Sequence, residues 1–430
     1  MTRRRKRPNL FGWTLFGLVV LFGYYFNQVY LPSQPNPFDA TPTVTRSPES
    51  FVSEAEDLFK QGKLSQAIDA YESAVNASPQ DPALYIALAR VQVWAGQYEE
   101  AKANAENAIL LSPENSMAHA VRAWALDFLG GSDNNSEAMS SIQRAVDLDP
   151  NNALAHAYYA EILIDSESFE NYDKAAEQSR IAVALDPNML ETHRARAYVL
   201  EHVGSEGDNY NYELAIQEYR AAIEMNPKLY ILHIELGRNL RFLGVYEDAI
   251  KEFTLANTLN PPNPEPDFLI SRTYATQGDY AKALQYAETA MKDDPTNARF
   301  RGNYGVMFYR NFDYENALDQ LSLAVNGGKS EDGLEVTGLT LTTDQRVEEF
   351  YFTYGLALAR MDQCGQALQI EQKLQTVASE DETVMAAANK IVEICQENLD
   401  NPAVDTPTPG ATEETAVVNT ETPAAPTATP

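Results

Sequence analysis

Four of the five histidines, His119, His156, His193 and His233, return at intervals of 37, 37 and 40 residues. A ladder of imidazoles could bind a metal or relay protons. Zinc, however, needs its ligands about 2 Å from one centre, and helices packed side by side stand about 8–10 Å apart. If each histidine sits on its own copy of a repeating unit, the four cannot converge, and a repeated packing role explains them better. With two cysteines, Cys364 and Cys395, as the remaining soft ligands, no structural zinc site is expected. The sequence contains no G-x-S-x-G, no phosphate-cradling glycine loop, no dinucleotide fingerprint and no H-E-x-x-H. Each of those motifs is a spacing that its chemistry requires. The reading is a protein without enzymatic activity, cofactor or metal.

The elements that position these residues recur. Pro79, Pro113, Pro150, Pro187, Pro227, Pro261 and Pro295 follow one another at 34 to 40 residues. Five residues before each stands an alanine (Ala74, Ala108, Ala145, Ala182, Ala222, Ala256, Ala290), and seven further back another (Ala67, Ala101, Ala138, Ala175, Ala215, Ala249, Ala283). Seven residues is two helical turns, so each alanine pair lies on one face, where small side chains let a neighbouring helix approach closely. Tyr71, Tyr219 and Phe253 fill the space between them. Tyr98, Tyr172, Tyr212, Tyr246 and Tyr280 open the second helix of their units. The closing proline cannot extend a helix and turns the chain into the next unit.

A period of this length built from paired helices resembles the tetratricopeptide repeat family. The resemblance covers about residues 50–377. An eighth unit carries Gly305, Tyr314, Ala317 and Ala324 in register without a closing proline, and a degenerate ninth follows. It implies an all-α fold: an α-solenoid, a right-handed superhelix of about nine helix pairs whose first helices line a concave groove, closed by a capping helix near residues 379–399. Polar inserts, "GGSDNNSE", "DSESFEN" and "GSEGDNYN", fall at equivalent turns, either as tolerated insertions or as a docking edge. Residues 326–345 form a longer interruption, which either folds back over the groove or makes a mobile excursion.

Projected on the family pattern, the groove side of the first helices carries Arg90, Trp94, Trp124, Phe128, Arg194, Tyr198, Arg238, Arg241, Phe242, Phe268, Arg272, Arg299, Tyr309 and Arg310. Arginine and aromatic residues are common interface anchors. Two readings stay open: a groove for a protein or peptide partner of acidic character, or internal pairing with Glu161, Asp165, Glu191 and Glu201, which project to the same side. The family's carboxylate clamp is not reproduced. A protein–protein interaction scaffold follows, with a structural or regulatory subunit of a cell-envelope assembly, for secretion or polysaccharide export, as the alternative.

The formal charge of −30 over 430 residues argues against nucleic acid as a partner. Arg3, Arg4, Arg5, Lys6 and Arg7 lie in a short basic segment, 1–9, expected in the cytoplasm. Residues 10–30 then run without a charge, long enough for a single transmembrane helix in the lipid bilayer, with tyrosines and a tryptophan toward its ends. A cleaved signal peptide is the competing reading. On the first reading the body lies outside the cytoplasm, beyond a Pro-rich linker, 31–49. The repeat body occupies 50–399, and the Thr/Pro-rich segment 400–430 is expected to be disordered. Reflecting Cys364, at the start of the ninth unit's second helix, through a turn near residue 379 lands near 394. Cys364 and Cys395 therefore come within disulfide reach, the alternative being two buried thiols.

Overall fold

The computed structural model describes residues 10–26, 28, 46–166, 168–203 and 209–400. The basic segment 1–9, most of the linker 31–49 and the tail beyond 400 lie outside the described residues. Two compact units divide the chain, Met1–Val199 and Leu200–Pro430.

The first unit opens with α1 (Leu10–Tyr25) and continues as antiparallel helix pairs: α2 (Pro48–Lys60) with α3 (Leu64–Ala77), α4 (Pro82–Trp94) with α5 (Tyr98–Leu111), α6 (Ser116–Leu129) with α7 (Ser132–Leu148), and α8 (Ala153–Asp165) with α9 (Tyr172–Leu185). Helix α10 (Leu190–Val203) follows and ends in the second unit. Successive first helices, α4 on α6 and α6 on α8, also touch.

The second unit continues with α11 (Tyr210–Met225), then pairs α12 (Tyr230–Phe242) with α13 (Tyr246–Leu259), α14 (Glu265–Thr276) with α15 (Tyr280–Asp293), α16 (Ala298–Arg310) with α17 (Tyr314–Asn326), and α18 (Gln345–Arg360) with α19 (Cys364–Val377). Helix α20 (Glu382–Asp400) packs on both members of the last pair, as a cap should. Each unit is thus an all-α stack.

The alanine rule holds throughout. Ala67, Ala74, Ala101, Ala108, Ala249, Ala256, Ala283 and Ala290 are fully buried. The second alanine of each pair has a further task, since its carbonyl accepts the N–H of the helix C-cap. Ser112 to Ala108 is 2.9 Å and Asn260 to Ala256 is 3.0 Å, and the proline then stops the helix. Asparagine or aspartate starts many of the first helices. Asp81, Asn115, Asn152, Asn297 and Asp344 accept N–H groups of the first turn that have no helical partner. Between the helices of a pair, Gly62, Gly96, Gly244 and Gly278 take φ between 72° and 80°, the left-handed conformation that glycine adopts without penalty. Gly237 has a different reason to be glycine. A Cβ there would sit 2.5 Å from the Phe253 ring.

Two expectations are corrected, those for the inserts and for 326–345, and the expected membrane helix is left unsupported. The first insert is not a loop, because Ser132 onward extends α7 to 17 residues. The second forms a short 3-10 turn, Phe169–Asn171, and the third lies largely outside the described residues. The segment 326–345 is no mobile excursion. It forms a small ribbon, Gly328–Lys329 paired with Glu335–Val336, then returns with Leu339 N–H on the Ala324 carbonyl at 2.9 Å. Leu339 and Leu341 pack on the core of the last pairs. Finally, α1 has 16 residues, about 24 Å at 1.5 Å per residue. Among the described residues no helix is long and apolar enough to cross a membrane. The uncharged stretch continues beyond Tyr25, where Phe26 and Gln28 remain helical in π form, and residues 27, 29 and 30 lie outside the described residues.

Candidate functional site: the inner helix faces of the two units

The histidine ladder has a plain structural role. Nε2 of His119, His156 and His193 each lies 2.9 Å from the carbonyl oxygen of the proline six residues earlier, and that of His233 lies 3.2 Å from Pro227 O. Tyr85 and Arg301 donate to Pro79 and Pro295 at the same position. The position therefore calls for a donor that ties the turn to the next helix. Asp267 occupies it after Pro261. Burial, then repulsion from Asp293, pushes its carboxyl up to about 6, against the amide of Asn257.

In the first unit the inner face is closed on itself. Glu161, on α8, accepts Arg194 Nη1 with both carboxylate oxygens at 2.7 Å and Trp124 Nε1 at 3.1 Å. Arg194 also lies over the rings of Trp94 and Trp124, 5.2 and 5.6 Å from their centroids, and Trp124 stacks on Tyr158 at 4.2 Å. Arg90 Nη2 reaches Glu191 Oε1 at 2.5 Å although the two are 101 residues apart. The pair thus spans from α4 to α10. Burial raises the Glu191 carboxyl, but Arg90 outweighs it and holds the group below its ordinary value; Glu191 in turn raises Arg90. Burial keeps Glu161 above the usual carboxylate range despite Arg194. Asp127 is driven well up by burial and then by the adjacent Asp165, which also accepts the Tyr198 hydroxyl at 2.5 Å.

Trp94, Trp124 and Arg194 are 3%, 1% and 9% exposed. They are core, a correction to their expected place on a partner-facing surface. Phe128 remains open, stacked on Tyr98 at 4.9 Å.

The second unit differs. Phe268, 2% exposed, is again core, edge-on to Phe300 and covered by Arg299 at 4.4 Å. Glu265 Oε1 holds both Arg238 at 2.9 Å and Arg299 at 3.1 Å, lacing α12, α14 and α16. Arg238 also meets Glu235 at 3.2 Å, and Arg272 pairs with Glu349 of α18. Among the described residues Arg241 has no carboxylate partner and its Nε is buried without an acceptor. Burial, then Arg272 and Arg346, push its charge down. Phe242 stays exposed, stacked on Tyr212 at 3.8 Å. Tyr309 lies against Tyr314, with burial raising its hydroxyl, and Arg310 is exposed. Arg346 and Glu349 were missed in the sequence, because the ninth unit is degenerate and its inner face could not be projected. Cys364 and Cys395 are bonded, with Cα atoms 5.6 Å apart, fastening α20 to α19.

Stacked antiparallel helix pairs with small residues at the contacts define an α-solenoid repeat protein. Two tetratricopeptide repeat family models match residues 58–125 and 268–332. No curated protein matches. Among solved structures, the human IFIT1 dimer with PPP-AAAA is 16% identical, with 81% of this chain and 83% of that one covered and a TM-score of 0.53. A thermophilic TPR protein of Thermus thermophilus is 22% identical over 45% of this chain and 99% of its own, with a TM-score of 0.37. A tetratricopeptide repeat protein of Parabacteroides merdae ATCC 43184 is 16% identical over 61% and 98%, with a TM-score of 0.39.

Proposed function

We propose that the protein is a non-enzymatic scaffold that binds a protein or peptide through the inner helix faces of its second unit. The observation that carries this reading is an arginine-rich face that stays accessible and on which Arg241, unlike Arg238 and Arg272, forms no ion pair among the described residues. Arg238, Arg241 and Phe242 on the last turns of α12, with Arg310 on α16, all keep accessible surface. Helix-pair repeats bury their own faces against neighbours and present such surfaces to ligands. The PPP-AAAA of the human structure is not carried over, because a chain of charge −30 repels an extended polyanion.

We further propose a single-pass membrane anchor, with the N-terminus cytoplasmic and the body outside. Its support is the charge-free stretch over 10–30 behind five basic residues, the apolar side chains of α1 open on all sides, among them Leu18, Leu21 and Phe22, and a disulfide, which persists in oxidising compartments. Spanning requires the helix to continue past Tyr25. External protease added to cells with permeabilised outer layers should degrade the body, and a body that stays protected reverses the topology.

A second reading, docking in a cell-envelope assembly through the outer helices, is favoured by one feature. A cleft of about 470 Å³ between α5, α6 and α7 is lined by Ile109, Leu110, Arg122 and Arg144, and Leu110 is 79% exposed. Photo-cross-linking residues at Phe242 and at Leu110 distinguish the two in cells. Capture at Phe242 supports the inner-face scaffold, capture only at Leu110 supports the envelope docking, and capture at neither removes the scaffold reading.

A further inference from the structure

The charges of the second unit's inner face do not balance. Five guanidiniums, Arg238, Arg241, Arg272, Arg299 and Arg346, come from α12, α14, α16 and α18, while Glu235, Glu265 and Glu349 take up three of them. Among the described residues neither Arg241 nor Arg346 forms an ion pair. Arg346 stands in the first turn of α18, its backbone N–H held at 2.8 Å by the capping Asp344. Its nearest charges include Arg299 and Arg272 as well as Asp344 and Glu265. Arg241 lies among Arg272, Arg346 and Arg238, and its burial and then these neighbours push its charge down. A third constraint fixes the site: Arg272 is clamped by Glu349, one turn after Arg346 on α18. The arginines therefore cannot all swing out to solvent without breaking the lacing between the first helices.

Burying Nε of Arg241 and of Arg299 without acceptors is unfavourable in an apo protein and is relieved by an anion. We propose that Arg241, Arg272 and Arg346 form a subsite for two neighbouring carboxylates of an acidic peptide segment, an assignment that rests on the scaffold reading and gives its partner a chemistry.

Two carboxylates match the two unpaired guanidiniums, whose planar forks suit that group. A longer polyanion meets Glu235, Glu265 and Glu349 on either side, with the charge of the whole chain behind them. Phe242, exposed next to Arg241 in sequence, supplies an apolar contact for a residue flanking the acids.

The test uses the full chain and a fluorescein-labelled hexaglutamate peptide, followed by anisotropy. Binding should weaken steeply with salt. The double variant Arg241→Gln with Arg346→Gln should bind at least about tenfold more weakly, as expected for loss of close charge pairs, while Arg220→Gln, exposed on α11 away from that face, binds as the parent does. The double variant should melt no lower than the parent, because it removes two repelling charges. Should it misfold, Arg241→Lys with Arg346→Lys keeps the charges but loses the forks, and intermediate affinity is expected. Undiminished hexaglutamate binding by both double variants overturns the subsite, as does an oligonucleotide or inorganic phosphate that displaces the peptide at equal concentration. If Phe242 still cross-links a protein in cells in that event, the scaffold stands and only its acidic chemistry fails. If nothing is captured at Phe242 while hexaglutamate binds as described, the subsite stands and the scaffold reading fails.

Discussion

The same helical face meets two fates in the two units. In the first, the expected anchors Trp94, Trp124 and Arg194 turn inward and Phe128 stays open. Arg194 shares Glu161 with Trp124, Arg90 crosses from α4 to Glu191 on α10, and the indoles are packed away. In the second, among the described residues, the carboxylates hold three arginines and leave Arg241 and Arg346 over. It also carries the backbone departures, since the left-handed turn position filled by glycine in pairs such as α4/α5 is Phe312 in α16/α17 and Asp362 in α18/α19. Local rules that a repeat breaks without offsetting gain point to sites shaped by something other than stability. The first unit pairs Arg90 and Arg194 with buried carboxylates, and the second leaves Arg241 and Arg346 without an ion pair among the described residues.

The comparison is broken most directly at Arg194. Its removal, Arg194→Ala, leaves Glu161 buried without its cation, and loss of one partner of a buried pair costs about 3–5 kcal/mol. Urea unfolding should show this loss, whereas Arg241→Met in the second unit should be neutral or stabilising. Equal losses at both positions would mean that the two faces are built alike.

Next in size is the Cys364–Cys395 bond, whose cysteines stand 31 residues apart at the end of the second unit. Its loss through the Cys364→Ser with Cys395→Ser variant should cost about 3–4 kcal/mol in the chain-entropy account. Hydrogen exchange should locate the loosening in α19 and α20 and leave the first unit unchanged. Spread of the loosening into α4 to α8 would join the units into one cooperative body. Alkylation of both cysteines in native, cell-derived protein would remove the bond itself.

Asp267 sharpens the same contrast. Its carboxyl is raised from 3.8 to about 6, so the folded chain holds a proton that the unfolded chain has lost between those values. Stability therefore falls as pH rises from about 4 to 6, and the penalty is full at pH 7, up to about 3 kcal/mol for a shift of this size. Asp267→Asn keeps an acceptor for Asn257 and adds the donor that His233 and Arg301 supply in neighbouring pairs. It should raise the urea midpoint at pH 7 and leave it nearly unchanged at pH 4. A variant no more stable at pH 7 would show that solvent already relieves the charge.

Much of this was legible in the sequence. The alanines, the closing prolines and the order of helices follow from spacing alone, and so does the position that brings Cys364 opposite Cys395. The histidines were legible only as a repeated structural position, and the structure added that each ring meets the carbonyl of the proline six residues earlier. What could not be read is how tightly each inner face closes. Arg90 meets Glu191 at a separation of 101 residues, and Arg272 meets Glu349 at 77. Such pairs depend on curvature accumulated over several repeats, to which no single repeat's pattern is sensitive. The projection therefore placed Trp94, Trp124 and Phe268 on a surface that curvature and packing bury, and it passed over Arg346.

The smallest effect is expected at Phe312, and it tests the contrast at the backbone. Gly278 and Phe312 close equivalent turns 34 residues apart, with φ of 80° and 64°. A side chain in this conformation crowds its own carbonyl, at about 1 kcal/mol or somewhat more, and the Phe312 ring regains little by burial, being 78% exposed. Phe312→Gly should therefore stabilise the protein by about 1 kcal/mol, less whatever the more flexible unfolded chain takes back. The converse substitution, Gly278→Phe, should lose a similar amount. If Phe312→Gly is destabilising instead, the ring has a packing role in the free protein. If it is stabilising but weakens partner capture at Phe242, the exposed ring belongs to the binding surface, and the second unit's departures from the repeat pattern share one cause.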